Sequence, residues 1–308
     1  MITGIGNPVY DSIRTPHIST QTRVLSGCST NACLAVSKLG ERAALVGRVG
    51  PDYAEQFRSD MNRFGIEFEL LPTATTGGFR LVYDETGDRT LDVLGIADPI
   101  DHLPARFAGA DFILVGPILG EVPPSVIRTI AQQTDAPLML DPQGLMRRIL
   151  DGRIDRYRNP ELLAILPLFD VVKPNEHEAL ILTGVNPRRD PETAVGALFD
   201  LMTAGDRRPG HPPIAIITLA EAGSIIYDGR DVITIPAYET LAKDPTGAGD
   251  TYAGGFMFQY GRTPGDWHRI GCFASAVGSM MVESSGPEFP LTLENVERRA
   301  ATLASLGS

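Results

Sequence analysis

Along this 308-residue chain, apolar β-rich runs alternate with helically periodic segments. The spacing predicts a strand near Ala43 to Val49, a helix from Tyr53 to Phe64 and a strand from Phe112 to Val115. It then predicts a helix from Ser125 to Gln133 and a strand from Leu138 to Asp141. Strands separated by helical crossovers pair in parallel and are covered on both faces, so the pattern predicts an α/β fold with a mostly parallel central sheet. One segment breaks the alternation. Gly78 to Asp84 and Arg89 to Leu94 alternate with period two around Glu85-Thr86-Gly87-Asp88, which predicts a hairpin with one polar face.

The formal charge of −11 argues against nucleic acid or an anionic membrane as partner, because both reward clustered Lys and Arg. Cys28, Cys33 and Cys272 match neither zinc-ligand spacing nor an even disulfide framework, which points to a reducing compartment. The first residues lack a basic segment followed by an apolar run, and no apolar stretch approaches the roughly 18 residues that span a bilayer, so a cytoplasmic protein is expected. Two nucleotide-binding classes are disfavoured. No Gly-x-x-x-x-Gly-Lys-[Ser/Thr] occurs, and after Gly4-x-Gly6 no third glycine follows at the dinucleotide-binding spacing.

The stretch from Lys243 to Phe256 carries the chemistry. Gly247 and Gly249 allow a tight turn with exposed N–H groups, and the apolar run Tyr252, Phe256, Phe258, Tyr260 predicts a helix beginning near Asp250. Unpaired amides and the positive end of the helix dipole form an anion site, strengthened as charge develops on a transferring phosphoryl group. Asp250 there is either an acid favoured in a first helical turn or a base. Phosphoryl transfer requires positioning, charge neutralisation and the movement of one proton, so one such base suffices.

Asp244 to Asp250, Asp-Pro-Thr-Gly-Ala-Gly-Asp, closely resembles the C-terminal signature Asp-Thr-x-Gly-Ala-Gly-Asp of the ribokinase-like carbohydrate kinases, also called the fructokinase B family, with Pro245 as the departure. The resemblance implies that Asp250 is the general base on the acceptor hydroxyl. It implies that the amides of Gly247, Ala248 and Gly249 form the anion hole for the γ-phosphate, with Thr246 beside the nucleotide.

Further motifs follow in the family's order. Ile5 to Asp11 reads as an apolar first strand ending in a turn that carries an acid, and Ser26-Gly27-Cys28-Ser29-Thr30-Asn31 resembles the N-terminal Gly-Gly-x-x-x-Asn element, with Ser26 for its first glycine. By resemblance Asp11, Gly27 and Asn31 hold substrate hydroxyls, although Asn31 equally suits a helix N-cap. Asp141-Pro142-Gln143-Gly144 with Arg147 resembles a further substrate element, making Gln143 and Arg147 candidate contacts; a surface-loop role remains open for both. Asn175 to Glu178 resembles the Pro-Asn-x-x-Glu element that organises magnesium and phosphate through water, Asn175 on the nucleotide side and Glu178 as metal candidate. The same pair fits a capping box.

Thr218 to Gly223 resembles the nucleotide-side Thr-x-Gly-x-x-Gly, with Ala220 for a glycine, and Ser275 stands on the adenine-side helix where many members carry Asn. The resemblance therefore implies one ribokinase-like domain over residues 1–308, with a small β-sheet lid formed by about 12–24 and 76–98 that often pairs with its twin in a dimer. The expected activity is ATP- and Mg²⁺-dependent phosphorylation of a sugar, nucleoside or inositol. The loops around Asp244 and Ser284 to Gly286 resemble regions that hold K⁺ in some relatives. The competing expectation is a non-catalytic sugar sensor on the same fold.

Overall fold

The structure, a computed structural model, describes residues 1–84 and 89–306. Nine strands form the central sheet in the spatial order Val232–Ile235, Ser224–Tyr227, Ile214–Thr218, Val171–Val172, Leu138–Leu140, Phe112–Val115, Ile2–Ile5, Ala43–Arg48, Ile66–Leu71. Every pairing from Ile214–Thr218 to Ile66–Leu71 is parallel, and Ser224–Tyr227 and Val232–Ile235 complete one edge antiparallel. Ala43–Arg48 shows why its residues read as a continuous apolar run: it is buried along its whole length, as a parallel strand covered on both faces must be. The helices Ala54–Phe64 and Glu176–Thr183 stop at Gly65 and Gly184, each in the left-handed conformation that glycine adopts without steric cost.

Two apolar layers sandwich the sheet. One joins Leu34, Leu45, Phe256, Phe273 and Val277; the other joins Ile113, Ile127, Leu138, Leu198 and Ile217. A separate four-stranded sheet, ordered Val24–Ser26, Val9–Arg14, Gly78–Tyr83, Arg89–Gly95, stands over the C-terminal edge of the large one. A third apolar cluster lies beneath it, including Val9, Phe79, Leu81 and Ile118.

Two sequence expectations need correction. Ile5 to Asp11 is not one strand: the chain leaves the large sheet after Ile5 and re-enters β-structure at Val9, so Asp11 lies inside a small-sheet strand, paired with Val24, and not on a turn. The small sheet thus begins at Val9, ahead of the expected boundary near 12. The antiparallel pairing of Gly78–Tyr83 with Arg89–Gly95 matches the expected hairpin, whose turn, Glu85 to Asp88, lies outside the described residues.

A buried polar knot ties the two sheets. The Glu121 carboxylate accepts the N–H groups of Asn7 at 3.1 Å, Ile118 at 2.9 Å and Leu119 at 2.8 Å. Asn7 Oδ1 accepts from Arg48 N at 2.9 Å, and its Nδ2 donates to the Asp98 carbonyl at 3.0 Å. The Arg48 guanidinium donates to the carbonyls of Pro72 and Pro99. Three of the chain's passages between the sheets are gripped in this way.

Candidate active site

Four loops at the C-terminal edge of the parallel strands and the inner face of the small sheet enclose a cleft of about 690 Å³. Crevices at this edge are where open α/β sheets bind ligands, because helix N-termini and strand-end loops converge there. Asp11, Gly27, Gln143, Arg147, Asn175, Glu178, Thr218, Gly223, Thr246, Gly247, Ala248, Gly249, Asp250 and Ser275 all line it. Asn31 does not; it lies just behind the wall.

The helix Ala248–Tyr260 starts two residues before the expected position, with Gly247 as its N-cap at φ +83°. Asp250 is therefore in the first turn, beside the Gly247 and Gly249 amides, while the Ala248 N–H donates to the Pro245 carbonyl at 3.3 Å. A side chain at Gly247 would strike Asn31, whose Nδ2 lies 2.8 Å from where a Cβ would stand. That amide donates to Asp250 Oδ2 at 3.0 Å. Burial, then the nearby Asp141 carboxylate, holds the Asp250 carboxyl above its ordinary range, while the Asn31 amide and the Lys173 ammonium pull it back. A buried carboxyl with a raised pKa at a cleft wall is a candidate proton acceptor.

Asn31 is not the N-cap of its helix, Cys28–Lys38; Gly27, at φ +121°, holds that place and lets the backbone face the cleft. Asp11 Oδ1 accepts the Phe79 N–H at 2.7 Å, so the acid joins two small-sheet strands at the cleft wall. Gln143 Oε1 accepts from the buried Arg147 guanidinium at 2.8 Å, and Arg147 also donates to the Ile118 carbonyl at 3.2 Å. Neither is a simple surface-loop residue.

Asn175 and Glu178 form a complete capping box: Asn175 Oδ1 accepts from the His177 and Glu178 amides, and Glu178 Oε2 accepts from Asn175 N at 3.0 Å. Glu178 also borders the cleft, its carboxyl raised by burial and then by Asp141. On the opposite side Thr246 Oγ1 meets the Tyr83 hydroxyl at 2.9 Å, joining the glycine loop to the small sheet. Ser275 Oγ donates to the Pro236 carbonyl at 2.9 Å. Ala220, at φ +50°, occupies the left-handed backbone that suits the glycine of the resembling motif, so the local turn persists without it.

Residues 8–293 match the pfkB family carbohydrate kinase profile. The chain belongs to the pfkB family. It is accordingly a phosphotransferase that acts on hydroxyl groups. A nucleoside kinase of Methanothermobacter thermautotrophicus is 29% identical over 94% of this chain and 91% of its own. A cytidine kinase of Thermococcus kodakarensis is 27% identical over 77% and 79%. The sulfate complex of a pyrophosphate-dependent kinase in the ribokinase family superposes with a TM-score of 0.80, covering 96% of this chain and 99% of that one at 22% identity, which shows the shared fold.

Three polar groups at the floor of this pfkB cleft were not singled out from sequence. Asp141 and Lys173 each follow the last residue of neighbouring parallel strands, Leu140 and Val172, which pair in register. The register brings Lys173 Nζ to 2.8 Å from Asp141 Oδ2, with side chains 2% and 5% exposed. Burial disfavours the Lys173 ammonium, but Asp141 outweighs it and holds the amine above its ordinary range. Cys28 lies with Asp141 and Asp250 so that their ligand atoms fall within 4.8 Å of one another, and burial followed by both carboxylates pushes its thiol up. The available signal was positional: a charged residue at the C-terminal end of a buried parallel strand faces the ligand crevice.

Proposed function

We propose that this protein transfers the γ-phosphate of ATP to a hydroxyl of a small polyhydroxylated substrate, a sugar, nucleoside or inositol, with Asp250 as general base. The observation that carries the reading is the first turn of helix Ala248–Tyr260, which sets Asp250 beside the Gly247-Ala248-Gly249 amides inside the cleft. Asp250 takes the proton of the attacking hydroxyl while the amides face the charge on the transferring group. Asp11, Gly27, Gln143 and Arg147 surround the acceptor. Thr218, Gly223, Thr246, Asn175 and Ser275 surround the donor. Asn31 acts on the acceptor indirectly, by orienting Asp250.

The small sheet is the lid, strands Val9–Arg14, Val24–Ser26, Gly78–Tyr83 and Arg89–Gly95 on a single domain, and its outer face is where a second copy would pair. Closure excludes water that would otherwise hydrolyse the donor. Glu178, a buried carboxylate that borders the cleft and engages only its Oε2 in the capping box, fits a hydrated Mg²⁺, which when bound would neutralise the donor phosphates, with Asn175 beside it on the nucleotide side. K⁺ fits between Asp244 and Ser284 to Gly286, where the buried Ser284 Oγ has no hydrogen-bond partner among the described residues. Three free, buried cysteines and no membrane-length apolar helix among the described residues support a cytoplasmic setting.

The test is ADP release from ATP and Mg²⁺ over hexoses, pentoses, ketoses, nucleosides and inositols, with pyrophosphate as a second donor and Asp250→Asn alongside. A substrate-dependent signal that collapses in the variant supports the kinase reading. Ligand binding without turnover on any donor would replace it with the sensor.

A further inference from the structure

We infer that Lys173 is a catalytic residue, its ammonium contacting the transferring phosphoryl group from the floor of the cleft. The inference rests on the kinase reading above and assigns the positive charge that this reading leaves unsupplied by the protein. Among the described residues Lys173 and Arg147 are the Lys and Arg side chains lining the cleft, and Arg147 is directed at Gln143 and the Ile118 carbonyl. Lys173 is aimed elsewhere. A methyl group placed on the Cα of Gly249 would stand 3.5 Å from its Nζ, so the ammonium borders the amide loop that faces the phosphate.

Its placement is rigid. The Lys173 N–H donates to the Leu140 carbonyl at 2.9 Å and fixes the root of the side chain, while Asp141 fixes its head. The cluster of Cys28, Asp141 and Asp250 gathers two carboxylates that invite a cation, and the Lys173 ammonium already stands against one of them. A buried ion pair rarely adds stability over apolar side chains of equal volume, so keeping one at the meeting point of base and anion loop calls for a use of the charge.

In the transfer, the acceptor oxygen forms the new O–P bond, the bond from the γ-phosphorus to the β–γ bridging oxygen breaks, ADP leaves, and the acceptor proton passes to Asp250. Lys173 stays protonated throughout. The amides of Gly247 to Gly249 offer dipoles, and Lys173 adds a full charge to the equatorial oxygens, where a loose transition state spreads its negative charge.

The alternative is that Lys173 only neutralises Asp141. A double-variant cycle separates the two, using wild type, Lys173→Met, Asp141→Asn and the double variant with the best acceptor, with melting temperature recorded for each. If Lys173 acts on the phosphoryl group, Lys173→Met lowers kcat by about 10²–10³-fold in the Asp141→Asn background as well. Ethylamine then restores part of the activity of Lys173→Ala. If Lys173→Met costs less than about threefold in that background and ethylamine has no effect, the inference is overturned while the kinase reading stands. A wild type that transfers phosphate from no donor to any acceptor overturns both.

Discussion

Asn31 and Asp250 lie 219 positions apart in sequence and meet at 3.0 Å, the Asn31 Nδ2–H donating to Asp250 Oδ2. One carboxylate oxygen is thereby held and the other can turn to an acceptor hydroxyl. The amide favours the ionised carboxyl, against burial and Asp141. Removing it in Asn31→Ala raises the Asp250 pKa further. Because the base works when ionised, activity is lost as pH falls through that pKa, so the acid limb of the kcat profile moves to higher pH. A limb that stays in place or moves to lower pH would refute this role.

Asp250→Asn should lower kcat by about 10²–10⁴-fold with donor affinity little changed, as read by single-turnover kinetics and calorimetric titration. Its stability should move the other way. A carboxyl whose pKa is raised in the folded state binds more protons than it does unfolded. Stability therefore declines as pH rises through the window above the usual carboxylate value, and at neutral pH the charge is unfavourable. The neutral amide should raise the melting temperature by about 2–4 °C at pH 7 if the relief is near 1 kcal/mol.

Gly247→Ala places a Cβ 2.8 Å from Asn31 Nδ2 on a backbone at φ +83°. Strain of about 1–2 kcal/mol and a displaced Asn31 should follow together, visible as a lower melting temperature and a kcat loss that Asp250→Asn does not deepen additively. Additive losses would mean that the glycine loop and the base act separately.

Ala220→Gly offers the opposite sign. Relief of the left-handed conformation at φ +50° is set against the greater freedom of glycine in the unfolded chain, so stability should change by no more than about 1 kcal/mol, toward gain. Thermal melting checks it; a clear loss would mean that the Ala220 side chain is held by contacts worth more than its strain.

Tyr83→Phe removes the 2.9 Å contact with Thr246 that joins the small sheet to the glycine loop. If that sheet shields the phosphate, acceptor-independent ADP release should rise several-fold while kcat with acceptor falls less. Unchanged background hydrolysis would argue against shielding through this contact.

What the chain writes contiguously is legible in its sequence. Glycine positions, Asp250 and the Asn175–Glu178 capping box each follow from a few adjacent residues, and the parallel sheet follows from the alternation of buried runs and helices. The Lys173–Asp141 pair is not legible in this way, because it exists only once two strands align in register, nor is the contact of Asn31 with Asp250, which depends on how two helices pack. Asp11 looks like a turn residue in the sequence because an apolar run that crosses from one sheet to another resembles, residue by residue, one strand that ends.

The knot of Glu121, Asn7 and Arg48 bears on redesign. The small sheet lines the cleft with Asp11, Phe79, Leu81 and Leu91, which invites transplanting that sheet from one relative to another. Here its passages are fastened by side chains that lie outside it, two of them rooted in the large sheet's own strands and loops. Every group of the knot lies outside the small-sheet strands, so a transplant cut at the visible sheet borders leaves it whole in the recipient, whereas a cut that takes the connecting passages as well must carry positions 7, 48 and 121 with them.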